Sequence, residues 1–378
     1  MSYILDRLQF IFASYLSWTD FEKKKNSGFN QPFFTYFLVM ISSVMLIVSV
    51  GKNGWIVEAL SSNPMIGPSV DTLLNLGAKE SNLIVNEGEG WRIIAPMFLH
   101  AGFIHYAINM LALWFIGSAV EKIHGTIAIT IIFLISAIGG TLLSAVFLPE
   151  FVTVGASGGI FGLVGACMAD ILLNWSMLFS DYLDAEEGGT KLKHWKVLSW
   201  LLFDIFINCL VGLTPFVDNF THMGGMVVGF MCGLSTMERL DKEFFGLEQS
   251  CIMKTRQLAT RFFGLILSIT FICIISIVLL EGDGVTSPCS NCRYASCVPF
   301  PPWESDASKW WYCDDCDKVV GSATRNTQTG YYEQINLECP DGQPIAVTLE
   351  GGATTDSKSL LEDDLPYYCR DYCENIYA

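Results

Sequence analysis

Apolar residues are gathered into seven long stretches, which short polar segments separate. The first stretch, residues 33–50, contains no charged residue and is just long enough to cross a bilayer as a helix. The other six are residues 97–119, 127–148, 157–175, 197–213, 221–237 and 262–280. Hydrophobic residues make up 51% of the 378 positions and charged residues 16%, which is typical of a polytopic membrane protein. The pattern therefore predicts an all-α protein with seven transmembrane helices.

The polar segments divide the chain into five parts. These are an N-terminal cytoplasmic or interfacial segment, residues 1–32; a six-helix core, residues 33–237; a cytoplasmic linker, residues 238–261; the seventh helix, residues 262–280; and a small, acidic, cysteine-rich C-terminal domain, residues 281–378. We expect loop 51–95 to fold against the membrane, because it contains large apolar side chains. Stretch 341–365 is rich in Gly, Thr, Ser and Asp, so we expect a flexible loop there.

Basic residues in the short flanks of the helices predict the orientation. The basic flanks are Lys23–Lys25, Glu121-Lys122, Lys191–Lys196 and Arg239–Arg261. Each is separated from the next by two predicted helices, so all four lie on one side, and the positive-inside rule makes that side cytoplasmic. The N-terminus is then cytoplasmic, and the tail after the seventh helix is lumenal or extracellular. This predicts a multi-pass protein of the secretory pathway, in a Golgi, endosomal or plasma membrane.

The tail differs from the helices in charge and in cysteine content. Of the formal net charge of −16, residues 282–378 hold sixteen acidic and six basic side chains, which is −10. This acidity argues against a nucleic acid partner. The eight tail cysteines are Cys289, Cys292, Cys297, Cys313, Cys316, Cys339, Cys369 and Cys373. An even, dense set in an oxidising compartment favours disulfides, while the two Cys-x-x-Cys pairs, with twenty residues between them, leave a zinc site as the alternative.

One serine lies between glycines at the start of an apolar helix, in the sequence Gly155-Ala156-Ser157-Gly158. Glycine allows a substrate or another backbone to approach closely. The first amides of a helix are unpaired and carry a partial positive charge, which suits a developing oxyanion. Ser157 therefore fits a buried nucleophile. The alternative is a seam of small residues at which two helices pack.

A histidine opens the sixth predicted helix. Gly225, Gly229 and Gly233 follow His222 at i+3, i+7 and i+11, on the same helical face. A glycine face permits close helix contact, which would bring His222 against a neighbouring helix. Because Ser157 and His222 both start their helices on the same side, imidazole could act as general base for the serine. The alternative is a structural histidine that caps its helix.

The second predicted helix carries two further polar candidates. His105 and Asn109 are spaced i and i+4, so they share a face, and both could donate hydrogen bonds to an oxyanion. The alternative is a polar pair that joins helices. We place His100 on the same helix, about 140° around from His105, where it braces the long loop. Asp204 and Asp218 are the nearest carboxylates, but neither is assigned as a third catalytic residue. Asp218 lies in the turn four residues before His222, so we expect it to cap the helix. The helix lacks the glutamate of a zinc protease, so no catalytic metal is expected.

Several motifs in register resemble the rhomboid intramembrane serine proteases. The matching residues are Trp91-Arg92, His100, His105, Asn109, Gly155-Ala156-Ser157-Gly158, His222, Gly225 and Gly229. The resemblance covers roughly residues 33–237. The seventh helix and the stretch Asn63–Ser69 are similar to the eukaryotic secretory-pathway group, with six helices plus one. Thr221 departs from the alanine that the family often has there, and the cysteine-rich tail lies outside the family pattern.

The resemblance implies an intramembrane serine endopeptidase that needs no cofactor. It implies a six-helix core, a Ser157–His222 dyad without aspartate, and oxyanion donors at His105 and Asn109. Trp91, Arg92, His100, Gly155, Gly158, Gly225 and Gly229 would support the structure. The implied partners are single-pass transmembrane substrates and the lipid bilayer. One alternative is a catalytically silent rhomboid-like protein that binds membrane clients. A transporter would need inverted repeats, which the sequence does not show.

Overall fold

The computed structural model of the chain describes residues 31–60, 63–175, 190–237, 251–289, 291–301, 303, 309, 311–314, 316, 319–340, 342–353 and 364–373. These residues belong to two compact units, which divide between Ser296 and Cys297. The predicted interfacial segment 1–32 lies almost entirely outside the described residues, as does the basic run Lys23–Lys25.

The first unit is helical. Its long helices are α1 (Phe33–Lys52), α6 (Thr126–Phe147), α7 (Ser157–Leu173), α8 (Thr190–Val211), α9 (Asn219–Thr236) and α10 (Cys251–Glu281). Shorter helices are α2 (Val70–Asn75), α3 (Ser81–Val85), α4 (Phe103–Ala112) and α5 (Ser118–His124), the last two joined by a π-helical turn, Leu113–Gly117. Four described spans, Phe33–Lys52, Phe103–His124, Thr126–Phe147 and Thr255–Glu281, are long and apolar enough to cross a membrane. The prediction of an all-α polytopic membrane core is confirmed.

The start of the second predicted helix was wrong. The helix begins at Phe103 rather than at residue 97, and Ala95–Phe98 forms a separate 3₁₀ turn. Gly102 is pressed against the long loop, where an added Cβ would lie 2.1 Å from the Met65 carbonyl oxygen. His100 therefore lies in the connection before the helix, and the angle of 140° to His105 does not apply.

The long loop between α1 and α4 is folded, as expected. Asn63 Nδ2 donates to the carbonyl oxygens of Pro68 at 3.0 Å and Ala101 at 2.8 Å. Lys79 pairs with Thr153 as an isolated antiparallel bridge. These bonds tie the loop to the connections that precede α4 and α7, so it forms part of the end of the bundle at which α7 and α9 begin. We call this end the active-site end.

Helices α7 and α9 meet along glycines. A Cβ on Gly225 would lie 2.1 Å from the Gly158 carbonyl oxygen, and a Cβ on Gly229 would lie 2.0 Å from that of Gly162. No side chain larger than hydrogen fits at these contacts. The glycine face predicted for α9 therefore packs backbone to backbone against the helix that carries Ser157.

The described residues of the second unit form a three-stranded antiparallel sheet and one helix. The strands β1 (Val320–Arg325), β2 (Tyr332–Glu338) and β3 (Pro344–Ala353) lie in the order β1-β2-β3, and α11 (Leu365–Tyr372) follows. The expectation of a flexible loop over 341–365 was wrong in its first part. Ile345, Val347 and Leu349 alternate with the exposed residues Ala346 and Thr348, and this period of two is that of a strand with one buried face.

All eight tail cysteines lie in disulfide bonds. The pairs are Cys289–Cys292, Cys297–Cys313, Cys316–Cys369 and Cys339–Cys373. The second Cys-x-x-Cys pair of the zinc-site alternative is thus divided between two different disulfides. Cys289–Cys292 belongs to the helical unit, in a segment whose Arg293 forms an ion pair with Glu150 at 2.9 Å.

Candidate active site

A cavity of about 460 Å³ lies at the active-site end of the helical unit. Apolar side chains form most of its wall. The polar residues that line it are His105, Asn109, Thr153, Ser157, Asp204, Asn208, Asp218 and His222. The structure therefore brings all four residues proposed for chemistry to one cavity, together with both carboxylates that the sequence left unassigned.

Ser157 is the first residue of α7. Gly155, two residues earlier, has φ +131°, a backbone conformation that side chains other than hydrogen rarely adopt, and its amide donates to the Pro96 carbonyl oxygen at 2.9 Å. The described residues provide no side-chain cap for this helix. Its first amides are thus directed toward the cavity end of the helix without a competing side chain, which suits an oxyanion at Ser157.

His222 lies one turn into α9. Its imidazole stacks on the ring of Phe161, with centroids 4.2 Å apart and planes 15° apart. Phe161 follows Ser157 by one turn of α7, so this stacking holds the imidazole beside the serine helix. Among the described residues, His222 Nδ1 is buried without a hydrogen-bond partner, and no hydrogen bond joins the imidazole to the Ser157 hydroxyl. The two groups share the cavity but are not hydrogen-bonded to each other.

His105 and Asn109 lie on α4 at the opposite wall. His105 packs on Gly155 so closely that a Cβ there would be 2.9 Å from Nε2. Its Nδ1 accepts a hydrogen bond from the Ala101 amide at 3.4 Å. Asn109 is buried and donates to the His105 carbonyl oxygen at 3.0 Å. Both side chains therefore lie where they could reach an oxyanion. The His105 ring can occupy this position only because residue 155 has no side chain.

His100 is completely buried but does not line the cavity. Its ring packs edge-on against His105 at 5.4 Å and against Tyr106 at 5.5 Å. It supports the His105 ring from behind. Trp91 and Arg92 support the loop farther away: Trp91 packs on Gly77, and Arg92 donates to the carbonyl oxygens of Leu74 at 2.7 Å and Ala78 at 2.9 Å.

A buried polar network that the sequence did not reveal connects the serine and histidine helices. Asp218 caps α9 by accepting from the Thr221 amide at 3.0 Å, which confirms the capping interpretation. It also accepts from the Thr153 hydroxyl at 2.9 Å and from the Ser144 hydroxyl. Thr153 lies four residues before Ser157, so Asp218 joins the start of the His222 helix to the connection that leads to Ser157.

Lys79 provides the positive charge of this network. It is completely buried, and its Nζ donates to the carbonyl oxygens of Leu148 at 2.6 Å and Phe151 at 2.8 Å. Burial lowers the pKa of Lys79 to about 8, although nearby carboxylates, Asp218 first among them, oppose the shift. For Asp218, burial favours the neutral acid, but the charge of Lys79 and the hydrogen bonds it accepts outweigh burial and lower its pKa. Asp218 therefore accepts hydrogen bonds from hydroxyl groups and from the Thr221 amide rather than from His222 Nδ1, and the charge of Lys79 acts on it without a direct hydrogen bond. Its place before α9 was a sequence signal, but nothing in the sequence connected it to Lys79.

Comparison with known proteins places these residues in a family context. A profile described as the Rhomboid domain matches residues 87–239. RHOMBOID-like protein 1 of Arabidopsis thaliana is 32% identical over 329 residues, which are 84% of this chain and 75% of that protein. Inactive RHOMBOID-like protein 8 of Arabidopsis thaliana is 29% identical over 260 residues, 65% of this chain and 70% of that protein. Rhomboid protease GluP of Bacillus subtilis (strain 168) is 34% identical over 201 residues, 53% of this chain and 34% of GluP.

Proposed function

Because the chain belongs to the rhomboid family, we propose that it is a serine endopeptidase that cleaves transmembrane-helix substrates within the membrane. The observation that carries this proposal is the shared cavity of Ser157, His222, His105 and Asn109. A nucleophile, a base and two side-chain donors that converge on one space are what acyl transfer requires.

In the proposed reaction, Ser157 Oγ attacks the carbonyl carbon of the substrate while His222 takes the hydroxyl proton. The oxyanion receives hydrogen bonds from the first amides of α7 and from Asn109 and His105. His222 then gives its proton to the leaving amine, and a water molecule hydrolyses the acyl-enzyme by the same steps in reverse. The missing Ser157–His222 hydrogen bond does not oppose this mechanism, because catalytic hydrogen bonds often shorten only when substrate binds.

The proposed reaction places one requirement on the substrate and one on the cavity. Its helix must unwind around the cut, because the carbonyl groups of a hydrogen-bonded helix are not free for attack. Water must also reach the cavity, which therefore has to open toward an aqueous side. The basic flanks and the disulfides support a lumenal or extracellular position for this side, with a cytoplasmic N-terminus and a site in the secretory pathway.

The test is cleavage of a labelled single-span reporter in proteoliposomes by the purified wild type and by Ser157→Ala. We expect a product from the wild type only, because the variant keeps its fold but lacks the nucleophile. Equal cleavage by the two proteins, with both shown to be folded, would exclude Ser157 as the nucleophile.

The second candidate is a catalytically silent protein that binds membrane clients. Similarity to a relative named inactive favours it. It predicts no product from the wild type in the same experiment, while the reporter is still retained by both wild type and Ser157→Ala in a pull-down.

A further inference from the structure

Asp204 is a carboxylate in a membrane helix that also lines the catalytic cavity. The second half of α8, Leu198–Val211, is an apolar helix in which Asp204 is the single charged residue. Its side chain is exposed, and it faces the same space as Ser157 and His222. A charged group within the hydrocarbon region is costly, and such residues usually face protein or a water-filled cavity and pair with another group.

Within the part of the chain that the structure describes, this carboxylate has no cationic partner. Among the described residues, no Lys, Arg or His side chain forms an ion pair with Asp204. Its neighbour one turn later, Asn208, donates to the Asp204 backbone carbonyl oxygen at 2.9 Å and lines the cavity as well. The two residues thus form a polar step, Asp204–Asn208, in an otherwise apolar wall, with a negative charge that nothing in the described residues balances.

The polar step lies along α8 at a distance from the end of that helix. Helix α8 ends at Val211, seven residues after Asp204, so the carboxylate is about 10 Å from that end along the axis. Pro215 and Phe216, which follow the helix, line the cavity nearer to its end. A substrate cut at Ser157 would therefore present to Asp204 a residue farther into the membrane than the cut bond.

We propose that Asp204 selects substrates that carry a lysine or arginine in their transmembrane segment, on the membrane side of the cut. This inference rests on the proposed peptidase function and specifies its substrate class. The long aliphatic stem of lysine or arginine would lie along the apolar wall and place its charge at the carboxylate. An unpaired charge is unfavourable in the membrane. Pairing the substrate cation with Asp204 would lower the free energy of both charged groups at once.

The test compares matched reporters that contain lysine or methionine at single positions about 4 to 10 residues beyond the cut. Methionine has a similar unbranched stem without the charge. We measure kcat/KM for the wild type, Asp204→Asn and Asp71→Asn, the last being a control that removes an exposed carboxylate outside the cavity. Loss of one partner of a charge pair should lower the lysine-to-methionine preference about tenfold or more in Asp204→Asn. Asp71→Asn should keep the wild-type preference.

A charge exchange and a binding measurement complete the test. Asp204→Lys should prefer a reporter with glutamate over one with glutamine. A variant that had only lost its fold could not show this reversed preference. In the Ser157→Ala background, lysine peptides in detergent micelles should bind more tightly than methionine peptides only when Asp204 is present. If the wild type cuts no reporter but binding keeps this dependence, the peptidase proposal fails and the subsite remains. Equal lysine preference with Asp204 and with asparagine, in both cleavage and binding, would overturn the inference.

Discussion

The helices around Ser157 and the cysteine-rich unit hold their shapes in different ways. The described cysteines of the membrane helices, Cys167, Cys209, Cys232, Cys251 and Cys273, form no disulfide. Those helices meet at glycines and share a buried network of Asp218, Lys79 and hydroxyl groups. The cysteine-rich unit has only a small apolar core around Ile335 and Val347, and three disulfides cross it.

The difference follows from the two solvents. Lipid is as apolar as the helix surfaces, so helices in a bilayer associate through close packing and polar contacts. A small domain in water cannot bury enough apolar area to be stable and relies on covalent links when its compartment is oxidising. The comparison therefore predicts that the two units respond to different perturbations.

The largest effect is expected at the glycine contacts. Gly229→Val would place its Cβ 2.0 Å from the Gly162 carbonyl oxygen, and a backbone atom cannot move aside as a side chain can. Overpacking commonly costs about 1–3 kcal/mol, and more where backbone must shift. We expect no folded helical unit by size-exclusion chromatography in detergent. Gly90→Ala, with nothing within 4 Å of its Cβ, is the control and should fold normally. A stable Gly229→Val protein would contradict the packing account.

The next effect concerns the Lys79–Asp218 pair. Asp218→Asn keeps the size of the side chain but weakens the hydrogen bonds from Thr153, Thr221 and Ser144 and removes the main negative charge that acts on the buried Lys79 without a direct ion pair. An uncompensated buried charge typically costs about 3–5 kcal/mol. The pKa of Asp218 is lowered from 3.8 by folding, so its contribution is present above that value and is lost as the pH falls through the lower folded-state pKa. The difference in unfolding temperature between wild type and Asp218→Asn should therefore shrink below about pH 4.

The double variant Lys79→Met, Asp218→Asn is the control for this pair. Removing the lysine also removes the uncompensated charge, so the double variant should unfold at a higher temperature than Asp218→Asn alone. Additive losses would show that the two residues stabilise the fold independently.

The disulfides should matter only to the second unit. Removing one bridge with Cys316→Ser, Cys369→Ser should destabilise that unit by about 2–4 kcal/mol. Limited proteolysis followed by mass spectrometry should then show new cleavage after residue 296 and unchanged protection of the helices. Cys273→Ser, at an exposed cysteine of α10 that forms no disulfide, should change neither pattern. Loss of protection throughout the helices on removal of this bridge would refute the division of roles.

The smallest effect tests the connection between the two catalytic helices. Thr153→Val removes the hydroxyl that donates to Asp218 while keeping the shape, and Thr153→Ser keeps the hydroxyl. One hydrogen bond to a charged group is worth about 1.5–3 kcal/mol, so stability should fall modestly in the valine variant. This bond joins the connection before Ser157 to the start of the His222 helix, so we expect its loss to disturb their alignment and to lower kcat more than it raises KM. An equal effect of valine and serine would show that the hydroxyl plays no part.

The sequence predicted the elements whose signal is local. Apolar runs predicted the helices, and the glycines around Ser157 and after His222 predicted their close contact. Features that depend on distant residues were missed. His100 lies outside its predicted helix because Gly102 meets Met65, more than thirty residues away. Lys79 gave no signal, since its partners Leu148, Phe151 and Thr153 lie in the distant connection between α6 and α7. Strand β3 was hidden because glycines and threonines around it obscured a short alternation.

The central claim is that His222 activates Ser157, and the most direct measurement is adduct formation at Ser157. Wild type, His222→Ala and Ser157→Ala are treated in detergent with a fluorophosphonate, and the adduct is located by peptide mass spectrometry. The account predicts an adduct on Ser157 in the wild type, none in Ser157→Ala, and little or none in folded His222→Ala, because the unactivated hydroxyl is a weak nucleophile. Equally fast labelling of Ser157 in wild type and His222→Ala would contradict it.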